Sequence, residues 1–180
     1  MRKTLAIAAG VLILVLANWS IYSREKLLTE GRIVYLELAP VDPRSLMQGD
    51  YMALRFQVAN DLRQHNANAA LKDGKVVLAI DSQGVGKIAH LEDGTTLGPM
   101  EVRMHYRVRN GQIKFATNGW FFQEGTADLY AKARYGEFRV ADSGDSILTA
   151  MRDEKLEVLG PPSPQPSPTR GEGASETSAR

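Results

Sequence analysis

The stretch from Leu38 to Gln57, LAPVDPRSLMQGDYMALRFQ, contains the densest cluster of backbone-restricting residues in the chain. Pro40 and Pro43 each fix one φ angle and favour extended geometry in the residue before them, so they predict a strand that enters a rigid turn. Gly49 permits backbone angles that other residues resist. Side chains then alternate from Tyr51 to Phe56, which predicts a second strand leaving the turn. We expect the centre of the fold to lie here.

Residues 49–56, GDYMALRF, resemble the signature of the GDYXXLXY family of bacterial membrane-anchored proteins. Phe56 stands where the signature has tyrosine, a change that removes a hydroxyl and keeps the ring. Residues 119–140, GWFFQEGTADLYAKARYGEFRV, are similar to the carboxy-terminal part of the same family. The resemblance implies no particular reaction, but it implies frequent genetic proximity to polytopic membrane proteins.

Thr4 to Ile21 form an 18-residue stretch without a charged side chain. A bilayer core requires about 20 apolar residues, so this stretch predicts an uncleaved transmembrane helix, with Trp19 and Tyr22 in an aromatic belt. The alternative is a signal peptide cleaved before Asn18, which the length of the apolar run disfavours. The short basic amino terminus favours a single-pass protein of the bacterial inner (cytoplasmic) membrane with an exported carboxy-terminal domain.

Composition restricts the remaining functions. The net charge is +1 and neither sign forms a long run, which argues against nucleic-acid binding. The absence of cysteine excludes disulfides, thiolate chemistry and cysteine-ligated zinc. The three histidines show no metal-ligand spacing, so we expect no metal site and no cofactor.

The predicted fold class is α+β: an amino-terminal transmembrane helix followed by a mostly antiparallel curved sheet with two short helices. Asn60 predicts the start of the first short helix, over residues 61–71, as a loosely packed surface element. Alternation over residues 100–109, followed by Asn110-Gly111, predicts a hairpin whose sheet has one buried face and one wet, basic face. The second short helix is expected over residues 126–133, before a strand from Tyr135 to Val140.

Three segments are expected along the chain. Residues 1–30 form the anchor and a helical stalk that ends at Gly31. Residues 31–159 form one domain, because about 130 residues suit a single core. Residues 160–180 are rich in proline and serine and contain no large apolar side chain, so we expect them to be disordered.

The candidate binding site is a polar cluster at an edge of the sheet that combines both regions of family resemblance. It comprises Gly49, Asp50, Tyr51, Glu124, Tyr130, Arg134, Tyr135 and Arg139. Arg134 is expected to pair with Asp50 or Glu124. Asp50 is either a ligand or acid/base, or a carboxylate that caps nearby backbone N–H groups. The charged residues of the second region form either part of a site or a buried ion pair that fixes the helix on the sheet.

Two functional classes follow. The favoured one is a non-enzymatic exported module that binds an integral membrane protein. The alternative is a membrane-tethered hydrolase that uses Ser45 or Asp50, since an anchor, a serine and Gly-Asp-Tyr faintly resemble Ser/Lys signal peptidases. Leu46 follows Ser45 where that family has methionine, Gly49 comes too soon, and no lysine lies in a matching motif. No catalytic residue is therefore predicted.

Overall fold

The computed structural model describes residues 2–39, 47–48, 51–66, 71–117 and 119–160. The predicted turn at residues 42–45 and the tail after Gly160 lie outside these ranges. The helices and strands, in chain order, are α1 Arg2–Glu30, β1 Arg32–Glu37, β2 Met47–Gln48, β3 Tyr51–Ala53, α2 Gln57–His65, β4 Gly74–Ile80, β5 Gly86–Leu91, β6 Glu101–Arg109, β7 Gln112–Phe115, β8 Gly119–Phe121, α3 Ala127–Tyr130, β9 Tyr135–Val140, β10 Ser146–Arg152 and β11 Val158–Leu159.

The described strands pair antiparallel in three sheets, ordered β1-β9-β10-β11, β2-β3-β8 and β5-β4-β6-β7. Two isolated β-bridges add to these sheets, one from Tyr35 in β1 to Val85 and one from Leu38, just after β1, to Phe56. The predicted α+β class, with mostly antiparallel sheets and few helices, is confirmed.

One hydrophobic core receives side chains from all three sheets and from α2. Phe56 is fully buried at its centre, with its ring edge-on to Phe138 at 5.2 Å between centroids. A Cβ added to Gly136 would lie 2.9 Å from the ring of Phe56, closer than packed carbons approach, so only glycine fits beneath that ring. The two regions of family resemblance therefore meet in the core through Phe56, Gly136 and Phe138.

The hairpin predicted from residues 100–109 and Asn110-Gly111 has the expected wet face at Arg107 and Arg109, which are exposed, whereas Met100, predicted on the buried face, is 50% exposed. Along β6, Val102, Met104 and Tyr106 are buried while the intervening side chains face solvent to varying degrees. Asn110 and Gly111 both adopt positive φ, 51° and 71°, as a two-residue hairpin turn requires.

The first short helix begins earlier than predicted. It spans Gln57–His65, whereas the sequence predicted a start after Asn60, because Asn60 lies within the helix and not at its cap. Val58 and Leu62, four residues apart, are both buried, so this helix packs into the core and the expectation of a loose surface element was wrong. The helix α3 is also shorter than predicted, and the Thr126 hydroxyl donates to the Gln123 carbonyl at 2.6 Å instead of capping it.

The amino-terminal helix α1 ends at Glu30, as the position of Gly31 predicted. The described part of the chain contains no helix that is both long enough and apolar enough to cross a membrane. The transmembrane part of the predicted fold is therefore not confirmed.

Replacing Leu62 by alanine should lower the free energy of unfolding by about 2–5 kcal/mol, because the substitution leaves a cavity in the core. Leu129→Ala in α3 is the matched control; its side chain is 37% exposed, so the loss should stay below about 1 kcal/mol. Urea unfolding followed by tryptophan fluorescence would measure both. Equal losses would show that α2 does not anchor the core.

Candidate binding site

Strand β8 joins the two regions that the sequence predicted to form one site. Tyr51 pairs with Phe121 in register, and their rings lie 5.0 Å apart. A Cβ on Gly119 would clash with the ring of Tyr51, so the strand approaches closely only because glycine stands there. The next residue along β8, Trp120, packs against Tyr130 with 6.0 Å between ring centroids. The contact between the two regions is thus aromatic.

Tyr130 is buried and its ring is stacked on Phe122 at 5.1 Å. Beside it, the Nε1 atom of Trp120 is buried without a hydrogen-bond partner among the described residues. Tyr130 and Tyr51 therefore pack against neighbouring residues of one aromatic segment, residues 120–122.

The charged members of the predicted cluster are dispersed. Gly49 and Asp50 lie outside the described residues, so the pairing of Asp50 with Arg134 stays a prediction. Glu124 and Arg134 are both exposed, and no ion pair joins them in the described structure. Tyr135 and Arg139 occupy β9 four residues apart, which separates their Cα atoms by roughly 13 Å. Ser45, the alternative nucleophile, also lies outside the described ranges.

Arg134 makes its connections through its backbone, which links β10 to the residue after β1. Its N–H donates to the Arg152 carbonyl at 2.8 Å, and its carbonyl accepts from the Leu38 N–H at 2.8 Å. At the other end of β9, the Arg139 Nη1 donates to the Gly31 carbonyl at 3.2 Å. This contact fixes the junction between α1 and β1.

The structure contains a buried ion pair, between Glu137 and Arg152, that the sequence did not predict. Glu137 is 7% exposed, and its Oε2 lies 2.5 Å from both Nε and Nη2 of Arg152. The Thr149 hydroxyl donates to Oε1 at 3.0 Å, and the Arg152 guanidinium lies 5.2 Å above the ring of Tyr35. Arg152 also donates through Nη1 to the Leu156 carbonyl. The pair ties β9 to β10 and to the segment before β11.

A register shift between Leu148 and Ala150 explains why this pair was missed. The shift leaves Thr149 outside the regular ladder, where its hydroxyl reaches Glu137. Spacing along the sequence carries no signal for such a bulge. Within the described ranges, no group of three or more histidine, aspartate or glutamate side chains is placed to hold a metal ion.

Ion pairs also organise the wet face of β6. Glu92 lies 3.0 Å from Arg103 and 3.9 Å from Lys75. The Nδ1 atom of His105 lies within hydrogen-bond distance of the Asp145 carboxylate, at 3.1 Å. The carboxylate of Asp73 accepts from the Val108 N–H at 2.8 Å and from Arg109 Nη1 at 3.0 Å.

The pKa of the Asp73 carboxyl lies below its ordinary value of 3.8, chiefly because the Val108 N–H stabilises the ionised form. Hydrogen bonding from Arg109 and the nearby charges of Arg109 and Arg107 act in the same direction.

The model of the family described as GDYXXLXY protein matches residues 13–151, which is more than half of the chain. The chain belongs to the GDYXXLXY family. No curated protein and no solved structure matches it. In this GDYXXLXY chain, the match begins inside α1 and ends in β10, so it includes the α1–β1 junction, the aromatic contact at β8 and the Glu137 side of the buried pair.

Breaking the buried pair should be strongly destabilising. Glu137→Ala or Arg152→Ala should each lower the free energy of unfolding by about 3–5 kcal/mol, because each leaves a buried charge unpaired. The double variant should lose less than the sum of the two. Denaturant unfolding measures all three changes.

The exposed pair of Lys26 and Glu30, 3.7 Å apart, serves as the control, and Glu30→Ala should cost less than about 1 kcal/mol. Additive losses at Glu137 and Arg152, within about 0.5 kcal/mol, would show that the two side chains do not interact.

Asp73 should contribute to stability in a pH-dependent manner. Its lowered pKa means that the contribution is fully present above pH 3.8 and is lost as the pH falls through the lower value of the folded state. Asp73→Asn should therefore be less stable than the original chain at pH 7, and the difference should vanish in strong acid. Thermal unfolding between pH 2 and pH 7 would test this, with Asp128→Asn on α3 as a charge-matched control. A difference that is constant over this range would contradict the assignment.

Proposed function

We propose that this protein is a membrane-anchored, exported domain that binds an integral membrane protein as a non-enzymatic accessory module. One observation supports the proposal above all others. Between Ile7 and Tyr22, the large apolar and aromatic side chains described in α1 are from 55% to 72% exposed.

The exposed side chains occupy every side of the helix. Val11 to Leu16 are six consecutive large apolar residues, and six consecutive positions complete more than one full helical turn. A helix that is apolar all round is stable only when it is surrounded by lipid or by other apolar helices. The uncharged stretch from Thr4 to Ile21 and the aromatic residues Trp19 and Tyr22 favour a membrane as that environment.

The carboxy-terminal end of α1 is attached firmly to the domain. Leu27 is buried, the Gly31 N–H donates to the Leu27 carbonyl at 3.1 Å, and Arg139 binds the Gly31 carbonyl. An inserted α1 would therefore hold the sheets close to the bilayer surface, where they can contact the extramembrane parts of a membrane protein.

Phe121 is the best candidate for a direct contact with that partner. Its side chain is 78% exposed, and the ring of Tyr51 lies beside it. Exposed aromatic side chains on a rigid strand are typical anchors of protein interfaces. The buried carboxylate of Glu137, by contrast, is hydrogen-bonded to Thr149 and Arg152, which is typical of a structural role.

Anchoring and topology can be tested cleanly because the chain contains no cysteine. Lys87→Cys places one thiol on an exposed position of β5, and we expect a membrane-impermeant maleimide to label it in intact spheroplasts. The control Lys3→Cys should be labelled only after permeabilisation. The protein should also stay in the membrane pellet after alkaline carbonate extraction. A soluble protein, or the opposite labelling pattern, would overturn the proposal of an exported anchored domain.

Partner binding can be tested by photo-crosslinking from Leu14 in α1 and from Phe121 in β8. Both positions should yield an adduct with the same integral membrane protein, identified by mass spectrometry, whereas the exposed control position Lys132 should not. Phe121→Ala should weaken co-purification of that partner by about 30-fold if the ring is a main anchor, while Leu129→Ala should not. Adducts with lipid alone would contradict an accessory role.

A further inference from the structure

A cavity of about 1110 Å³ lies between the carboxy-terminal half of α1, the wet face of β6 and β7, and the turn from β9 to β10. Its lining is basic. Six lysine and arginine side chains face three carboxylates, whereas the whole chain has a net charge of only +1. The basic residues are Arg24, Lys26, Arg32, Arg107, Arg109 and Lys114.

Three of these six cations already bind a carboxylate or a backbone carbonyl of the protein. Lys26 pairs with Glu30 at 3.7 Å and Arg109 with Asp73 at 3.0 Å. Arg32 donates through Nη1 to the carbonyls of Pro99 and Glu101 at 3.2 and 3.3 Å.

The other three cations, Arg24, Arg107 and Lys114, are exposed, and no salt bridge to any of them occurs within the described ranges. Arg107 acts on Asp73 only through its charge, without a hydrogen bond between them.

The register of the β6–β7 hairpin places two of these free cations directly against each other. Arg107 is the cross-strand partner of Lys114, so both side chains project from the same face of the sheet into the cavity. Like charges in this position destabilise a sheet. An anion seated between them would convert the repulsion into attraction, and the guanidinium of Arg107 can bind a phosphate through two parallel hydrogen bonds.

We propose that this cavity binds the headgroup phosphate of an anionic phospholipid, held by Arg107 and Lys114 from the sheet and by Arg24 from α1. This inference rests on the proposed membrane anchoring. Trp19 and Tyr22 line the same cavity, and the exposed apolar part of α1 continues directly from them. A lipid bound by its phosphate can therefore lay its acyl chains along that helix. Basic residues next to a membrane helix are typical of sites for anionic lipids.

The test uses the full chain in a neutral detergent, titrated with phosphatidylglycerol or with phosphatidylcholine in mixed micelles. Native mass spectrometry measures the lipid that stays bound. We expect retention of phosphatidylglycerol in preference to phosphatidylcholine. The double variant R107Q/K114Q should lose about fivefold in affinity per charge, or about 25-fold in total. The matched control K87Q/K132Q removes the same charge from exposed positions outside the cavity and should bind like the original chain.

A second readout separates a ligand site from a structural role. Without anionic lipid, Lys114→Gln should raise the melting temperature, because it removes the repulsion from Arg107; a structural role for Lys114 would lower it. Phosphatidylglycerol should raise the melting temperature of the original chain and not that of R107Q/K114Q.

Four results would overturn the inference: equal retention of the two lipids, equal losses in the control variant, a lower melting temperature for Lys114→Gln in lipid-free detergent, or displacement of the lipid by millimolar inorganic phosphate. The last would identify a site for free phosphate instead of a lipid. Carbonate extraction of R107Q/K114Q distinguishes failure of the lipid-site proposal from failure of the anchoring proposal. If α1 anchors the protein, the variant should still sediment with membranes. A variant that leaves the pellet would contradict the anchoring proposal, whatever its lipid affinity.

Discussion

The packing of Phe56 on Gly136 holds together parts of the chain that lie 80 positions apart. The ring fills the space that a side chain at position 136 would need, and the side chains of Leu148 and Phe138 lie against the same space. Both regions of family resemblance contribute to this contact. Phe56 also stands directly before α2, and its backbone bridges to Leu38, the residue after β1. The GDYXXLXY signature is thus, in the part that the structure describes, a packing motif.

Phenylalanine at position 56, where the signature has tyrosine, keeps the ring that this contact requires. A hydroxyl at the buried edge of this ring would need a hydrogen-bond partner, and an unsatisfied one costs about 1–3 kcal/mol. The ring of Phe56 is 1% exposed and lies edge-on to the ring of Phe138. The sequence comparison alone could identify the lost hydroxyl, but only the structure shows that the ring faces the core.

Periodic strands and turn signals were the most predictable parts of the fold. Strand β9 has the predicted bounds, Tyr135–Val140, and the Asn110-Gly111 turn has the predicted geometry, because alternation and positive φ are local properties. The start of α2 was missed because Asn60 looks like a cap, whereas burial of Val58 and Leu62 decides the helix. The partner of Glu137 was missed because it depends on a bulge and on a strand pairing, neither of which has a sequence pattern. For the predicted polar cluster, the structure shows aromatic packing at Tyr51 and Tyr130 and leaves Asp50 outside its described ranges.

The two ends of β9 make different contacts: one stabilises the sheet, and the other attaches α1 to the domain. Near its start, Glu137 binds Arg152 and stabilises the sheet from within. Near its end, Arg139 reaches the Gly31 carbonyl and holds the carboxy-terminal end of α1 against the same sheet. The basic cavity lies on that side, between α1 and the hairpin that carries Arg107 and Lys114. Strand β9 is paired on both sides, by β1 and β10, and the His105 N–H of β6 donates to the Gly144 carbonyl in the turn between β9 and β10 at 2.9 Å. Both walls of the cavity are therefore attached to β9 or to the turn that follows it. Attachment of both walls to one part of the sheet holds the cations of the cavity in a defined arrangement, and such preorganisation lowers the cost of binding a headgroup.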